Sequence, residues 1–188
     1  MKKITALLLI AQFNFIGYGQ SLENIDYLNG FKQFKFEKKV NELNDIEKDD
    51  LLKTGNRVSR YIYRKKIKLR IDFPITFIDF IDNELYSIKL FRNLSSDEIK
   101  EQFELKEKLK LDTSFDSVTK ELIELFGNEY KTYEIKSDLF SEGGSRTVWE
   151  TKKNYVELCF RDFRGKYRIE VIFVNKELKN KAKLSNYE

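Results

Sequence analysis

The first feature of the hydrophobic pattern is a block rather than a rhythm. A mostly apolar run, Ile4 to Ile16, follows Met1-Lys2-Lys3 and is closed by Gly17-Tyr18-Gly19-Gln20. A basic start, a short apolar centre and small residues at −3 and −1 make an export signal, with cleavage expected after Gly19. A membrane-spanning helix needs about 20 apolar residues. Residues 1–19 are therefore expected to be a cleaved signal peptide, and residues 20–188 a single α+β domain.

Beyond the leader the rhythm changes several times. Phe31-Lys32-Gln33-Phe34-Lys35-Phe36 reads as a short strand. Val40, Leu43, Ile46 and Leu51 give a weak helical spacing that ends near Gly55. Arg60 to Phe73 splits into two alternating sets. Tyr61, Tyr63, Lys65, Ile67, Leu69, Ile71 and Phe73 fall in one, and Arg60, Ile62, Arg64, Lys66, Lys68, Arg70 and Asp72 in the other. One strand with a greasy face and a basic face is predicted, broken by Pro74, which has no N–H to donate. Strands over Ile75–Ile81 and Leu85–Phe91 follow, joined by the turn Asp82-Asn83-Glu84. Apolar residues occupy both parities of Ile75–Ile81, so the pattern does not choose its buried face.

Ser95-Ser96-Asp97-Glu98 is a capping-box pattern ahead of a half-exposed helix carrying Ile99, Phe103 and Leu109. A stronger helix has Phe115, Val118, Leu122, Leu125 and Phe126 on one face and Gly127 at its stop. The remainder reads as a meander of strands: Tyr130–Ile135, Arg146–Thr151, Tyr155–Phe163 and Tyr167–Val174. With Arg164-Gly165 as a two-residue turn, Phe160 faces Ile169, Leu158 faces Val171 and Val156 faces Phe173 on one side. The other side then pairs Arg161 with Arg168 and Cys159 with Glu170. A turn within Lys152-Lys153-Asn154 adds Trp149 to the greasy side. Asn175–Ala182 is expected to form a short terminal helix.

Two halves, about 31–91 and 113–174, share a helix-then-strands layout. The predicted fold class is α+β, an antiparallel sheet with helices packed on one face, arranged as a degenerate tandem αβββ repeat.

Composition narrows the chemistry. The chain has no histidine and one cysteine, Cys159. That removes Ser-His-Asp and Cys-His schemes, the commonest zinc ligand and thiolate metal clusters. No cofactor or metal site is expected. Cys159 sits in an apolar run and reads as a buried, inert thiol. With no cysteine just after the cleavage site, a lipid anchor is not expected. The formal charge of +4 falls to +2 once Lys2 and Lys3 are removed, too balanced to argue for nucleic acid. Sixteen Phe and ten Tyr can fill a core without disulfides.

Three weaker constellations have bland readings that outweigh the chemical ones. Glu42, Asp45, Glu47, Asp49 and Asp50 lack the spacing of a calcium loop and read as a solvated face. Asp79 and Asp82 could form a carboxylate pair, but read as an edge and a turn aspartate. Gly143-Gly144-Ser145 does not join a strand to a helix and reads as a flexible connection, not a phosphate loop.

The layout F-K-x-F-K-F, helix, strands, a helix ending L-F-G and a Trp ahead of V-x-L rests on Gly30–Phe36, Leu122–Gly127, Trp149 and Val156–Leu158. It resembles small uncharacterised secreted proteins of Bacteroidetes. More distantly, the tandem helix-plus-sheet order is similar to the β-lactamase-inhibitor-protein-like fold. That resemblance implies periplasmic binding or assembly modules and supplies no catalytic residue.

Two functions are therefore weighed. The first is a non-catalytic secreted or periplasmic module that binds a protein or cell-envelope component through its sheet face. Arg60, Arg64, Lys66, Lys68 and Arg70 are the candidate face for an anionic partner, extended by Arg146, Arg161, Arg164 and Arg168 if the sheet is continuous. The second is a histidine-free extracytoplasmic hydrolase using Asp79 and Asp82.

Overall fold

The structure is a computed structural model, and it describes residues 21–44, 46–47, 50–55, 57–95, 114–135, 143–163 and 166–184. The leader, the helix expected after Ser95 and the Arg164-Gly165 turn lie outside the described residues.

Twelve strands are present among the described residues: β1 (Gly30–Phe31), β2 (Phe34–Lys35), β3 (Leu51–Thr54), β4 (Val58–Tyr63), β5 (Ile67–Leu69), β6 (Ile71–Phe73), β7 (Ile75–Ile81), β8 (Glu84–Asn93), β9 (Lys131–Ile135), β10 (Gly143–Glu150), β11 (Asn154–Phe163) and β12 (Lys166–Asn175). The helices are α1 (Asn24–Leu28), α2 (Ser114–Phe126) and α3 (Lys176–Leu184). Eight strands form one antiparallel sheet in the order β3-β4-β7-β8-β12-β11-β10-β9. Each half contributes four strands that run from an edge to the centre, and β8 and β12 join the halves.

The first face of this sheet carries the core. Trp149, Val156, Leu158, Ile169, Val171, Phe173, Ile88, Leu90 and Ile78 are all buried there. The predicted pairs Phe160–Ile169, Leu158–Val171 and Val156–Phe173 are all formed, and Trp149, expected on the same side, stands opposite Val156. Against them pack α2, through Val118, Leu122 and Phe126, and the β1–β2 hairpin, whose Phe31 stacks on Phe173 at 4.4 Å between ring centroids. Helix α2 begins and ends as its apolar spacing predicts, and Gly127 closes it with φ +79° and its N–H donating to Ile123 O. Trp149 Nε1 donates to Gly127 O at 2.9 Å, tying that helix end to the sheet. At the same end Asp26 of α1 accepts from Thr151 Oγ1 (2.6 Å) and Asn154 Nδ2 (3.0 Å).

Four local expectations are corrected. Phe31–Phe36 is a tight hairpin, with Lys32 at φ +52°, not one strand. The stretch 40–52 forms a 3₁₀ turn (Val40–Glu42) and then β3, not a helix. Arg60–Phe73 is three strands, because the chain leaves the main sheet after Tyr63 and reverses at Arg70 (φ +49°) to form the separate β5–β6 hairpin. Gly143 and Gly144 lie inside β10. A Cβ at Gly144 would sit 1.9 Å from Phe160 O, so the close approach of β11 is what requires glycine there.

Helices are not confined to one face. Helix α3 lies on the opposite side, packing Leu178 and Ala182 against Ile81, with Val58 and Tyr86 partly buried around them. Asn175 Oδ1 caps α3 by accepting the Leu178 N–H at 3.0 Å. No helix among the described residues is long and apolar enough to cross a membrane.

Candidate binding face

Register fixes what the second face presents. One row across the strands runs Ile62, Phe77, Lys89, Ile172, Glu157, Val148 and Lys131. The next runs Ile75, Phe91, Glu170, Cys159, Arg146 and Tyr133. Beyond it Arg168 and Arg161 stand opposite each other, as predicted. Among the described elements only α3 packs on this face, and only at the end that carries Ile81. Ile62, Ile75, Phe77, Phe91, Ile172 and Val148 are consequently half-buried rather than buried.

Charges are interleaved with these apolar residues. Glu170 is the deepest, 1% exposed, and three cations surround it. Lys89 Nζ is 3.0 Å from Oε2, Arg168 Nε 2.8 Å from Oε1, and Arg161 Nε 3.9 Å from Oε2. The Arg168 contact is close without being aligned as a hydrogen bond, so it acts as an ion pair. Arg168 also lies over the Phe91 ring at 5.5 Å, and Arg146 over Tyr133 at 4.8 Å. Eight basic residues stand on the described part of the face (Lys53, Arg60, Lys89, Lys131, Arg146, Arg161, Lys166, Arg168), against five acidic ones (Asp79, Glu84, Glu150, Glu157, Glu170). The face is therefore net positive.

The five cations singled out in the sequence do not share it. Only Arg60 belongs to the sheet, where its guanidinium donates to both oxygens of Asp79 at 2.6 and 2.8 Å and lies over Phe77. Arg64 pairs with Asp50 at 3.2 Å and Arg70 with Glu124 of α2. Lys66 and Lys68 are exposed around the β5–β6 hairpin. The extension through Arg146, Arg161 and Arg168 does share the sheet with Arg60, because β8–β12 pairing makes the sheet continuous.

The acids make no common centre. Asp79 lines a cleft of about 200 Å³ with Lys53, Gly55, Val58, Arg60 and Tyr86, and is the one carboxylate there among the described residues. Asp82 stands in the β7–β8 turn, where Arg57 donates to both its oxygens and holds its carboxyl below the usual range. No group of three or more acidic or cysteine side chains among the described residues is placed to hold a metal ion. Cys159 is buried, its Sγ 2.9 Å from Glu157 Oε1, and burial pushes its thiol up. That is the reverse of an activated nucleophile.

No family model, curated protein or solved structure matches this chain. The site must therefore be read from its own chemistry.

Two tyrosines give this face a measurable signature. Burial, and secondarily the Asp79 charge, pushes the Tyr86 phenol up to about 12; burial and Glu157 do the same for Tyr155. An unfolded tyrosine ionises near pH 10, so the folded state holds the protonated phenols more strongly. Their contribution to stability is intact below about pH 10 and is lost as pH rises through about 12. Ultraviolet difference spectra of phenolate formation should show a late component from Tyr86 and Tyr155 in the native protein and none in denaturant. Phenolate formation complete near pH 10, with no later step, would contradict the packing of α3 on this face.

Sequence reasoning missed Phe77, Phe91, Lys89 and Tyr133. A signal for the first of them was present. The double-parity apolar pattern of Ile75–Ile81 is that of a central strand whose second face is greasy as well.

Proposed function

We propose that this chain is an exported, non-catalytic module that docks the acidic surface of a partner protein on the second face of its sheet. One observation carries the reading: half-buried aromatic and aliphatic side chains interleaved with a net-positive set of cations, on a face that only α3 shields among the described residues. Apolar patches of this kind, rimmed by polar groups, mark interaction surfaces. The cations supply steering and partner choice.

The test uses polyglutamate as an acidic-protein surrogate, with heparin and anionic vesicles as envelope surrogates. Arg146→Glu and Phe77→Ala, each checked by circular dichroism, are expected to weaken polyglutamate binding at low salt by about tenfold each. Lys66→Glu with Lys68→Glu, on the other side of the molecule, should change it less than about twofold. The reverse ranking, or binding to heparin or vesicles alone, would refute the acidic-protein reading. Export is part of the proposal: N-terminal sequencing of the product made by its own host should begin at Gln20. An intact Met1 on a cytosolic product would remove it.

We also read the two four-stranded halves as diverged copies. The support is that both run edge to centre and meet antiparallel through β8 and β12. Superposing β3-β4-β7-β8 on β9-β10-β11-β12 tests this, and a mismatch of strand positions would count against it.

A further inference from the structure

The two edges of the eight-stranded sheet are built differently. Along β3 the register with β4 shifts between Leu51 and Lys53, a bulge of the kind that turns an edge away from new partners. Strand β9 has no such bulge. It pairs with β10 over five consecutive residues without a shift, contains no proline, and exposes Lys131, Thr132, Tyr133 and Glu134.

Hydrogen-bond phase decides which β9 backbone groups face outward. The β10–β11 turn closes with the Thr151 N–H donating to Asn154 O at 2.9 Å. Thr151, Trp149 and Thr147 therefore turn their N–H and C=O groups toward β11, since these groups alternate sides along an antiparallel strand. Val148 and Arg146 turn theirs toward β9, where their partners are Lys131 and Tyr133. The N–H and C=O groups of Thr132 and Glu134 thus point out of the sheet edge. No described strand pairs with that side of β9.

We propose that this edge takes up an extended acidic segment of the partner as a ninth strand, with carboxylates at alternate positions. The inference rests on the acidic partner proposed above and adds the mode of attachment. On the second face Lys131 lies directly beside a carboxylate of such a strand, and Arg146 reaches toward the edge from β10, over the Tyr133 ring. Beside β9 a cleft of about 340 Å³, lined by Leu22, Tyr130, Lys131, Tyr133, Val148 and two glutamates, takes the apolar side chain between the strand's carboxylates. On the first face Glu134 repels an acid, which sets the alternation. A second copy of β9 is a poorer match. Pairing antiparallel about Tyr133, it would set Lys131 against Ile135 and Glu134 against Thr132, with no charge complemented.

The probe is a fluorescein-labelled peptide, Thr-Glu-Thr-Val-Thr-Glu-Thr, whose acids and valine share one side. Its binding is expected to slow amide exchange at Thr132 and Glu134 at least about tenfold. Glu134→Pro removes an outward N–H while sparing the β9–β10 bonds, and proline is tolerated at such edge positions. It should abolish peptide binding, whereas Leu52→Pro at the opposite edge should not. Protection of both amides already in the free protein would overturn the proposal. So would peptide binding unchanged by Glu134→Pro, or a dimer in sedimentation that Glu134→Pro dissolves. If polyglutamate binding still responds to Arg146→Glu while the peptide ignores Glu134→Pro, the edge inference fails and the face reading stands.

Discussion

Replacing Trp149 with alanine is expected to destabilise the protein by about 3–5 kcal/mol, the usual loss for a large aromatic removed from a core. The side chain is fully buried and is the largest of the core residues. It stands opposite Val156, with the Tyr130 ring 5.2 Å away, and donates to the carbonyl that ends α2. Removing it leaves a cavity that a ladder on both sides and a capped helix end cannot collapse into. A domain with a total stability of about 5–15 kcal/mol would lose a large share of it. Trp149→Phe keeps most of the volume and leaves the Gly127 carbonyl without its donor, for a loss of about 1–3 kcal/mol. Urea midpoints by circular dichroism test both. A loss below about 1 kcal/mol for the alanine variant would mean that the first face is not the core.

Removing the carboxylate of Glu170 is expected to have the next largest effect. Unpairing a buried charge cluster costs about 3–5 kcal/mol, since the remaining charges are left uncompensated. Here Lys89, Arg161 and Arg168 each keep between 26 and 30% of their side-chain exposure, so water softens the penalty. About 3 kcal/mol is expected for Glu170→Ala. Glu170→Gln, which keeps the shape and deletes the charge, isolates the electrostatic part. Because the residual repulsion is between partly exposed cations, added salt should recover some of the lost stability. A Glu170→Gln variant as stable as the parent at low salt would show that the cations do not depend on this carboxylate.

Much of this arrangement was legible in the chain. The β11–β12 register follows from three apolar pairs that fall together only in one alignment, and that register places Arg161 beside Arg168 and Glu170 beside Cys159. Helix α2 is legible because its apolar stripe and Gly127 agree. Reversals at non-glycine residues were not. Alternation of period two runs unbroken through the hairpin at Arg70, since Leu69 and Ile71 lie directly opposite each other with one residue between them. The basic residues of 60–70 therefore looked like one stripe, yet they stand on different elements and three of them are paired with acids. The spacing of Val40 and Leu43 satisfies a 3₁₀ turn as well as an α-helix, and only tertiary packing separates the two. The continuous second face depended on β8 pairing with β12, a contact between halves that no local pattern encodes.

The most direct measurement is a residue-resolved map of the surface that an acidic ligand covers, by nitrogen-15 chemical-shift perturbation with polyglutamate at low salt. Perturbations should concentrate on Phe77, Lys89, Arg146 and Ile172, in neighbouring rows across adjacent strands, and fade as salt is added. Shifts centred on Lys66 and Lys68, or none at all, would contradict the account.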